Sequence, residues 1–131
     1  MGLSGPSPRD VALAYVASFS SGDPDRIAEL VSEDFWNEHT SALGSSCRGR
    51  DEYRRRLPGF LTEFEGLRYD VEDVVTEDDR VVVAYTMRAR WRGEHDLAIR
   101  GVFRLRVQGG EVVHRADYWD GTEFLGQTGQ A

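Results

Sequence analysis

The chain has 131 residues, a mass of 14.8 kDa and a formal net charge of −7. This length corresponds to one domain, 1–131, that buries enough surface to need neither a metal nor a disulfide for stability. All 16 basic residues are arginines, against 23 acidic residues. A nucleic-acid-binding face is therefore not expected, and the absence of lysine excludes Schiff-base, P-loop and covalent pyridoxal lysines. Lysine avoidance is also typical of GC-rich, actinobacterial-type genomes.

The sequence carries no sign of a membrane segment or of secretion. No apolar run approaches the ~20 residues of a membrane-spanning helix, and no basic start followed by an apolar stretch predicts a signal peptide. Cys47 is the only cysteine, which rules out an intrachain disulfide and disfavours a cysteine-based metal site. We therefore expect a cytoplasmic protein that uses no cofactor and binds neither membranes nor nucleic acid.

The first half of the chain predicts three helices and one strand. Ser7 and Pro8 have the residue types that begin a helix, and Gly22 is a natural stop for it. The elements predicted after it are a short helix from 24, a strand over 35–39, a Ser/Gly loop and a helix over 51–64. Alternation along the strand places Phe35, Asn37 and His39 on one face.

The second half changes to a two-residue period. Strands are predicted over 67–76, 80–92, 95–107 and 111–119, and their short connections indicate an antiparallel meander. Together with the helices this is an α+β fold, in which the helices cover one face of the sheet. Residues 1–6 are expected to be flexible, and 122–131 to form a C-terminal tail.

The two faces of the predicted meander differ in character. The inner face is rich in apolar and aromatic side chains, whereas the outer face carries a row of arginines: Arg88, Arg90, Arg92, Arg100, Arg104 and Arg106. Two interpretations of the outer face remain open. It is either a solvated surface or a subunit interface bridged by arginine–carboxylate pairs.

Motifs along nearly the whole chain resemble one family. They are FSSGD at 19–23, SEDF at 32–35, NEH at 37–39, GRDEY at 49–53, EDDRVVV at 77–83, GVFRL at 101–105 and RADYWD at 115–120. This layout resembles the SnoaL-like group of the nuclear-transport-factor-2-like superfamily, which includes polyketide cyclases, limonene epoxide hydrolase and ketosteroid isomerase-like proteins. The resemblance implies a cone-shaped domain with three N-terminal helices on a strongly bent antiparallel sheet that encloses an apolar pocket. It also implies a homodimer formed through the sheet.

Asp117 is the first candidate catalytic residue. The resemblance to limonene epoxide hydrolase and SnoaL-type cyclases implies that an Asp at this position is the acid/base group. Asp117 shares strand parity with Val113 and Trp119, which predicts that it faces inward. In an apolar cavity its pKa would rise, which suits proton transfer near neutral pH. The alternative is a structural Asp that holds a helix end or an arginine.

His39 is the second candidate, because the matching position carries the catalytic Asp in ketosteroid isomerase-like members and a water-positioning Asn in limonene epoxide hydrolase. His39 is either a base, a partner of Asp117 that the carboxylate makes easier to protonate, or a pocket-lining residue. Asn37 shares its face and can position a water or a carbonyl. Tyr15 can donate a hydrogen bond to an oxyanion, although a core position is the alternative.

One departure from the epoxide hydrolase pattern stands out. The Arg and the second Asp of that family align near Tyr85 and Met87, so the full epoxide-opening triad is absent. The remaining predicted substrate-binding residues are aromatic or apolar: Phe35, Trp36, Tyr85, Met87, Trp91, Phe103 and Trp119.

Two functions follow from these residues. The first is a cofactor-independent acid/base enzyme that carries out isomerisation, aldol cyclisation, hydration or epoxide opening on a small hydrophobic metabolite. The polar trio of Asn37, His39 and Asp117 favours it. The second is a non-catalytic ligand-binding or dimerisation domain of the same fold, which the incomplete catalytic set favours.

Overall fold

The chain forms helices and strands in an order that keeps the predicted plan. The computed structural model describes residues 5–130. Its helices are α1 (Pro8–Ser18), α2 (Pro24–Ala28), α3 (Arg50–Glu63) and α4 (Gly121–Gln127), with a 3-10 turn at Phe19–Ser21. Its strands are β1 (Val31–His39), β2 (Cys47–Arg48), β3 (Phe64–Glu77), β4 (Arg80–Trp91), β5 (His95–Gln108) and β6 (Glu111–Trp119).

The first two helices begin where the sequence predicts. The Ser7 hydroxyl accepts a hydrogen bond from the Asp10 amide at 3.1 Å, which satisfies a free amide of the first turn of α1. The Asp23 carboxylate does the same for the Asp25 amide in α2. Gly22 separates the two helices in a left-handed conformation with φ of 68°.

The six strands form one curled, unclosed sheet in the order β2-β1-β6-β5-β4-β3. The predicted meander from β3 to β6 is confirmed, with antiparallel pairing throughout. The sheet is not wholly antiparallel, however, because β1 pairs with β6 in parallel. The chain leaves β1 through α3 and the meander, and β6 then returns alongside it in the same direction. This parallel pair forms the centre of the candidate site.

Most of the inner face of the sheet packs with the helices in one hydrophobic core, and a smaller cluster of Trp91, Leu97 and Ile99 lies apart from it. Tyr15 and Phe19 pack from the N-terminal segment against Phe35 of β1 and Phe103 of β5, and all four are fully buried. Along β4, buried side chains alternate with more exposed ones from Val81 onward, which confirms the predicted inner and outer faces.

Three segments differ from the sequence predictions. Residues 121–127 form α4 rather than a plain tail: Asp120 accepts from the Thr122 amide at 2.9 Å, and Phe124 packs against Trp91. Strand β1 begins at Val31, four residues earlier than predicted, and part of the predicted Ser/Gly loop forms β2. The predictions for 1–4 and 131 lie outside the described residues. No helix in the described range is long and apolar enough to cross a membrane.

Candidate functional site

A cavity of about 540 Å³ opens between the inner face of the sheet, α3 and α4. This volume lies in the range of small-molecule binding sites. Most of its wall is apolar or aromatic, and the residues that form this part include Leu57, Phe60, Phe64, Met87, Ile99, Trp91, Trp119 and Phe124. The arrangement suits a largely apolar ligand.

Four polar side chains form the floor of this cavity. The parallel pairing of β1 with β6 sets Asn37 opposite Arg115 and His39 opposite Asp117. Because residues two apart on a strand share a face, all four side chains point inward together, and all four line the cavity. Asn37, Arg115 and Asp117 are only 6%, 3% and 4% exposed.

Both carboxylate oxygens of Asp117 have partners. The Tyr85 hydroxyl donates to Oδ1 at 2.5 Å, and Nη2 of Arg115 donates to Oδ2 at 3.1 Å. Burial raises the pKa of Asp117, while the charge of Arg115 and these two hydrogen bonds offset part of that rise. Asp117 is thus a buried carboxylate whose proton affinity is greater than that of an exposed one.

Arg115 is the main functional candidate that the sequence reasoning did not identify. Its Nη1 donates to the Tyr15 hydroxyl at 3.0 Å and to the Tyr53 hydroxyl at 3.4 Å. Burial alone would lower the pKa of Arg115, but the Asp117 carboxylate and the tyrosine oxygens around it hold this pKa above its usual range. Arg115 therefore remains charged. Its position two residues before Asp117, on the same strand face, is the signal that would have revealed it.

His39 is neutral in this environment. Burial lowers the pKa of His39 to about 3, and the positive charges of Arg115 and Arg56 act in the same direction. Its Nδ1 lies 3.8 Å from Oδ2 of Asp117, which is too far for a hydrogen bond. The expectation that a carboxylate partner makes His39 easier to protonate is therefore wrong, because burial and the nearby charges of Arg115 and Arg56 disfavour the protonated imidazole.

The predicted ligand-contacting residues fall into two groups. The cavity wall includes Asn37, Tyr85, Met87, Trp91 and Trp119. The other four lie elsewhere: Tyr15, Phe35 and Phe103 are in the core behind the floor, and Trp36 is on the opposite face of the sheet.

The four residues outside the cavity have partners of their own. The Tyr15 hydroxyl lies 2.6 Å from the Tyr53 hydroxyl and also accepts from Arg115, so it supports the guanidinium instead of facing a ligand. Trp36 stacks on His114 with a 4.5 Å ring separation and has the Arg48 guanidinium 4.3 Å from its ring centre. Conversely, Tyr53 and Tyr69 line the cavity without having been predicted to do so.

Asp117 faces inward as predicted, but the prediction was based on its shared parity with Val113, and Val113 is not the buried residue at the start of β6. The β5–β6 register shifts between Arg106 and Val107, so that Val112 is the fully buried residue at the start of β6. The alternation resumes after this irregularity with Arg115 and Asp117 facing inward.

Charged groups also line the cavity near α3 and the end of β4. Glu63 accepts a hydrogen bond from the Trp91 indole at 3.3 Å and lies 3.5 Å from the Arg92 guanidinium. Within residues 5–130, no three His, Cys, Asp or Glu side chains are grouped so that they could hold a metal ion. The chemistry of the floor thus rests on Asp117, Arg115, His39 and Asn37.

Three solved structures of low sequence identity match this chain over nearly their whole length. A protein from Catenulispora acidiphila DSM 44928 with a ketosteroid isomerase-like fold, in complex with trimethylamine, is 19% identical, with a TM-score of 0.85 and 96% of each chain covered. A candidate SnoaL-like polyketide cyclase from Shewanella denitrificans OS-217 is 16% identical, with a TM-score of 0.83 and coverage of 95% of this chain and 98% of that one. TerC, co-crystallised with polyporic acid, is 21% identical, with a TM-score of 0.80 and coverage of 92% and 96%. At such identities these similarities show the fold alone.

A comparison with curated proteins gives no match. The profile of the SnoaL-like domain, by contrast, matches residues 12–115, which run from within α1 to Arg115 and end two residues before Asp117. The fold predicted from the sequence motifs agrees with this match. The chain therefore belongs to the SnoaL-like domain family.

Proposed function

We propose that this protein is an acid–base enzyme that acts on a small, largely apolar metabolite, with Asp117 as the proton-transfer group. The observation that carries the proposal is the position of Asp117, 4% exposed, on the polar floor of a cavity whose wall is mostly apolar. Burial raises its pKa, and a carboxyl group with a raised pKa exchanges protons more readily near neutral pH.

His39 has one of two roles in this proposal. In the first, the neutral imidazole accepts the proton itself, as a weak base because burial and the charges of Arg115 and Arg56 lower its pKa to about 3. Alternatively, Asp117 takes the proton itself and His39 only orients the carboxylate. The 3.8 Å separation between Nδ1 of His39 and Oδ2 of Asp117 needs only a small movement to become a hydrogen bond in either case.

The reaction class that fits best is proton transfer beside a carbonyl group, as in isomerisation and aldol cyclisation. The name of the Shewanella protein supports ring closure as one such reaction, and hydration or epoxide opening is the further option that the family resemblance offers. Proton transfer of this kind needs neither a metal nor an organic cofactor. The apolar wall formed by side chains such as Met87, Trp91 and Trp119 supports a hydrophobic substrate.

A non-catalytic ligand-binding domain is the second candidate. The observation that favours it is the full engagement of Asp117, whose two oxygens already accept from Tyr85 and Arg115. In that case Asp117 serves as the counter-ion that makes a buried Arg115 tolerable, and the cavity holds a ligand without changing it.

Deuterium exchange at the carbon beside a ketone separates the two functions. Wild-type protein and Asp117→Asn are incubated in deuterated buffer with bicyclic and tricyclic ketones, of which 2-tetralone is the smallest, and exchange is followed by NMR. We expect wild-type protein to accelerate exchange. The protein-catalysed rate with Asp117→Asn should be lower by a factor of about 10²–10⁴. Binding of a ketone with no accelerated exchange by wild-type protein would favour the non-catalytic domain.

The folding control matters, because Asp117→Asn leaves Arg115 buried without its counter-ion. Breaking a buried ion pair costs about 3–5 kcal/mol, so thermal melting must show that the variant is folded at the temperature used. Glu63→Gln is the matched control, since it neutralises the other carboxylate that lines the cavity. We expect it to keep the wild-type exchange rate. Equal rates in wild-type protein and folded Asp117→Asn would contradict the role of Asp117.

A further inference from the structure

Three buried polar atoms on the cavity floor have no hydrogen-bond partner within the described residues. They are Oδ1 of Asn37, Nδ1 of His39 and Nε of Arg115. Leaving a buried donor or acceptor unpaired costs about 1–3 kcal/mol, and folded proteins avoid it. Three such atoms on neighbouring residues indicate a surface that is completed by a group from outside the chain.

The sheet brings these atoms to one patch. Asn37 and His39 are two residues apart on β1, and the register sets Asn37 directly opposite Arg115 on β6. Paired residues on adjacent strands lie about 5 Å apart, and all three side chains line the same cavity. The register therefore places Asn37 and Arg115 side by side on one patch of the floor, with His39 next to them.

The donor and acceptor character of these atoms restricts what that group can be. Oδ1 of Asn37 only accepts, whereas Nε of Arg115 only donates. A carbonyl or carboxylate oxygen has no hydrogen to give Asn37, and an ammonium group has no lone pair for Arg115. A hydroxyl group both donates and accepts, so it matches the pair.

We propose that the floor is a recognition subsite for a hydroxyl group on an otherwise apolar ring compound, with Asn37 as the acceptor that sets the preference. This inference deepens the proposed function and rests on it for the place of the ligand in the cavity. The rest of the ligand lies against the apolar wall, where the rings of Trp91 and Trp119 provide flat surfaces.

Equilibrium dialysis with two matched probes tests the subsite. The probes are 2-naphthol and 2-methylnaphthalene, which differ by a hydroxyl in place of a methyl group. Transfer into an apolar cavity alone favours the methyl compound, so any preference for the hydroxyl reports a specific contact. We expect wild-type protein to bind 2-naphthol about five- to tenfold more tightly, and Asn37→Leu, which keeps the volume but removes the acceptor, to reverse that order.

Two further variants serve as a conservative substitution and as a control. Asn37→Ser retains a smaller acceptor and should keep part of the preference, which covers the case that Asn37→Leu does not fold. Glu123→Gln changes an exposed residue that does not line the cavity and should leave the ratio unchanged. Wild-type protein that binds the methyl compound as tightly, a folded Asn37→Leu that retains the preference, or the absence of binding of either probe would overturn the inference.

The dialysis experiment and the deuterium-exchange experiment test different claims. Dialysis measures binding without chemistry, whereas exchange depends on Asp117. A protein that exchanges ketone protons but shows no hydroxyl preference contradicts only the subsite. One that prefers the hydroxyl but shows no exchange contradicts only the proposed enzyme function.

Discussion

At the level of single residues, burial and the charge of Arg115 together determine the charge states of His39 and Asp117. The Arg115 guanidinium donates to Asp117 and lies 4.7 Å from the ring of Phe103, in a space with almost no solvent. Because the positive charge of Arg115 is so close, protonation of His39 would place two cations side by side in a medium of low polarity. The floor is therefore an ion pair beside a neutral imidazole, not a charged histidine–carboxylate pair.

The neutral state of His39 makes a prediction about acid stability. With a pKa of about 3 in the folded protein and about 6.5 in the unfolded chain, His39 takes up a proton on unfolding between these two pH values. The unfolding free energy is therefore unaffected by His39 above pH 6.5 and decreases as the pH falls toward 3, because only the unfolded chain binds the proton. We expect wild-type protein to lose roughly 2–3 kcal/mol more unfolding free energy between pH 7 and pH 4 than His39→Gln does.

Urea unfolding at a series of pH values measures this difference. Asp117 is present in both proteins, and its raised pKa acts with the opposite sign, so subtraction of the two curves isolates the histidine. Parallel curves for wild-type protein and His39→Gln would show that the folded protein accommodates a charged imidazole at this position.

The residues of the floor could be predicted only in part. The alternation along 35–39 gave the shared face of Asn37 and His39, and family resemblance drew attention to Asp117. The same alternation places Arg115 on the inner face, but buried arginines are rare, so Arg115 was not predicted to be a site residue. The partners Tyr15 and Tyr53 come from α1 and α3, and no local pattern shows that their hydroxyls meet at this guanidinium.

At the level of elements, how well a strand pairing could be predicted depends on how far apart its two strands lie in the sequence. The strands β3 to β6 are joined by short turns, so their order and antiparallel pairing follow from the sequence. The pairing of β1 with β6 joins distant parts of the chain, and its parallel direction depends on how the intervening elements pack. The site lies on this long-range pair, which is why its register could not be predicted locally.

Helix α4 illustrates the same limit. Its seven residues include two glycines and no apolar period, so the sequence predicts no helix there. Its position depends on contacts made elsewhere: Phe124 packs on Trp91 and Phe64, and the Gln127 amide exchanges two hydrogen bonds with the backbone of Ala98. These contacts attach α4 to β5 beside the cavity.

Phe124 is expected to matter more for ligand binding than for folding. Its ring centre lies 5.3 Å from that of Trp91, and it forms part of the cavity wall. Phe124→Ala should weaken the binding of 2-naphthol about five- to twentyfold, because a ligand loses one apolar surface. The unfolding free energy should fall by only about 1–2 kcal/mol, since the ring is partly exposed.

Dialysis and thermal melting check this prediction together. Glu123→Gln is the matched control on the same helix, because Glu123 is exposed and does not line the cavity. It should leave both quantities unchanged. An unaltered affinity in folded Phe124→Ala would show that α4 does not contribute to the ligand site.

At the scale of the whole molecule, arginines on the outer face of the sheet pair with acidic residues of the same chain. Arg88 pairs with Asp70 at 2.8 Å, and Arg100 pairs with Glu72 at 2.6 Å. Acidic residues of a second subunit are thus not needed to neutralise these arginines. Each exposed pair contributes only about 0–1 kcal/mol, so dimerisation through this face would depend mainly on its apolar groups.

Those apolar groups still support the homodimer that the sequence predicts. Val75 and Tyr118 are 60% and 40% exposed, and Val102 lies on the same face, paired in register with Tyr118. Their contact with a twin surface would remove apolar area from water on both subunits at once. We expect light scattering at tens of micromolar to give about twice the chain mass of 14.8 kDa.

Val102→Glu tests which face is involved. A carboxylate at the centre of a two-fold contact meets its own copy or must be desolvated, so the variant should be a monomer with an unchanged circular dichroism spectrum. Leu43→Glu is the control, because Leu43 is an exposed apolar residue in the loop after β1, away from this face, and it should remain dimeric. A wild-type mass of one chain would argue against the dimer, and a dimeric Val102→Glu would assign the contact to another surface.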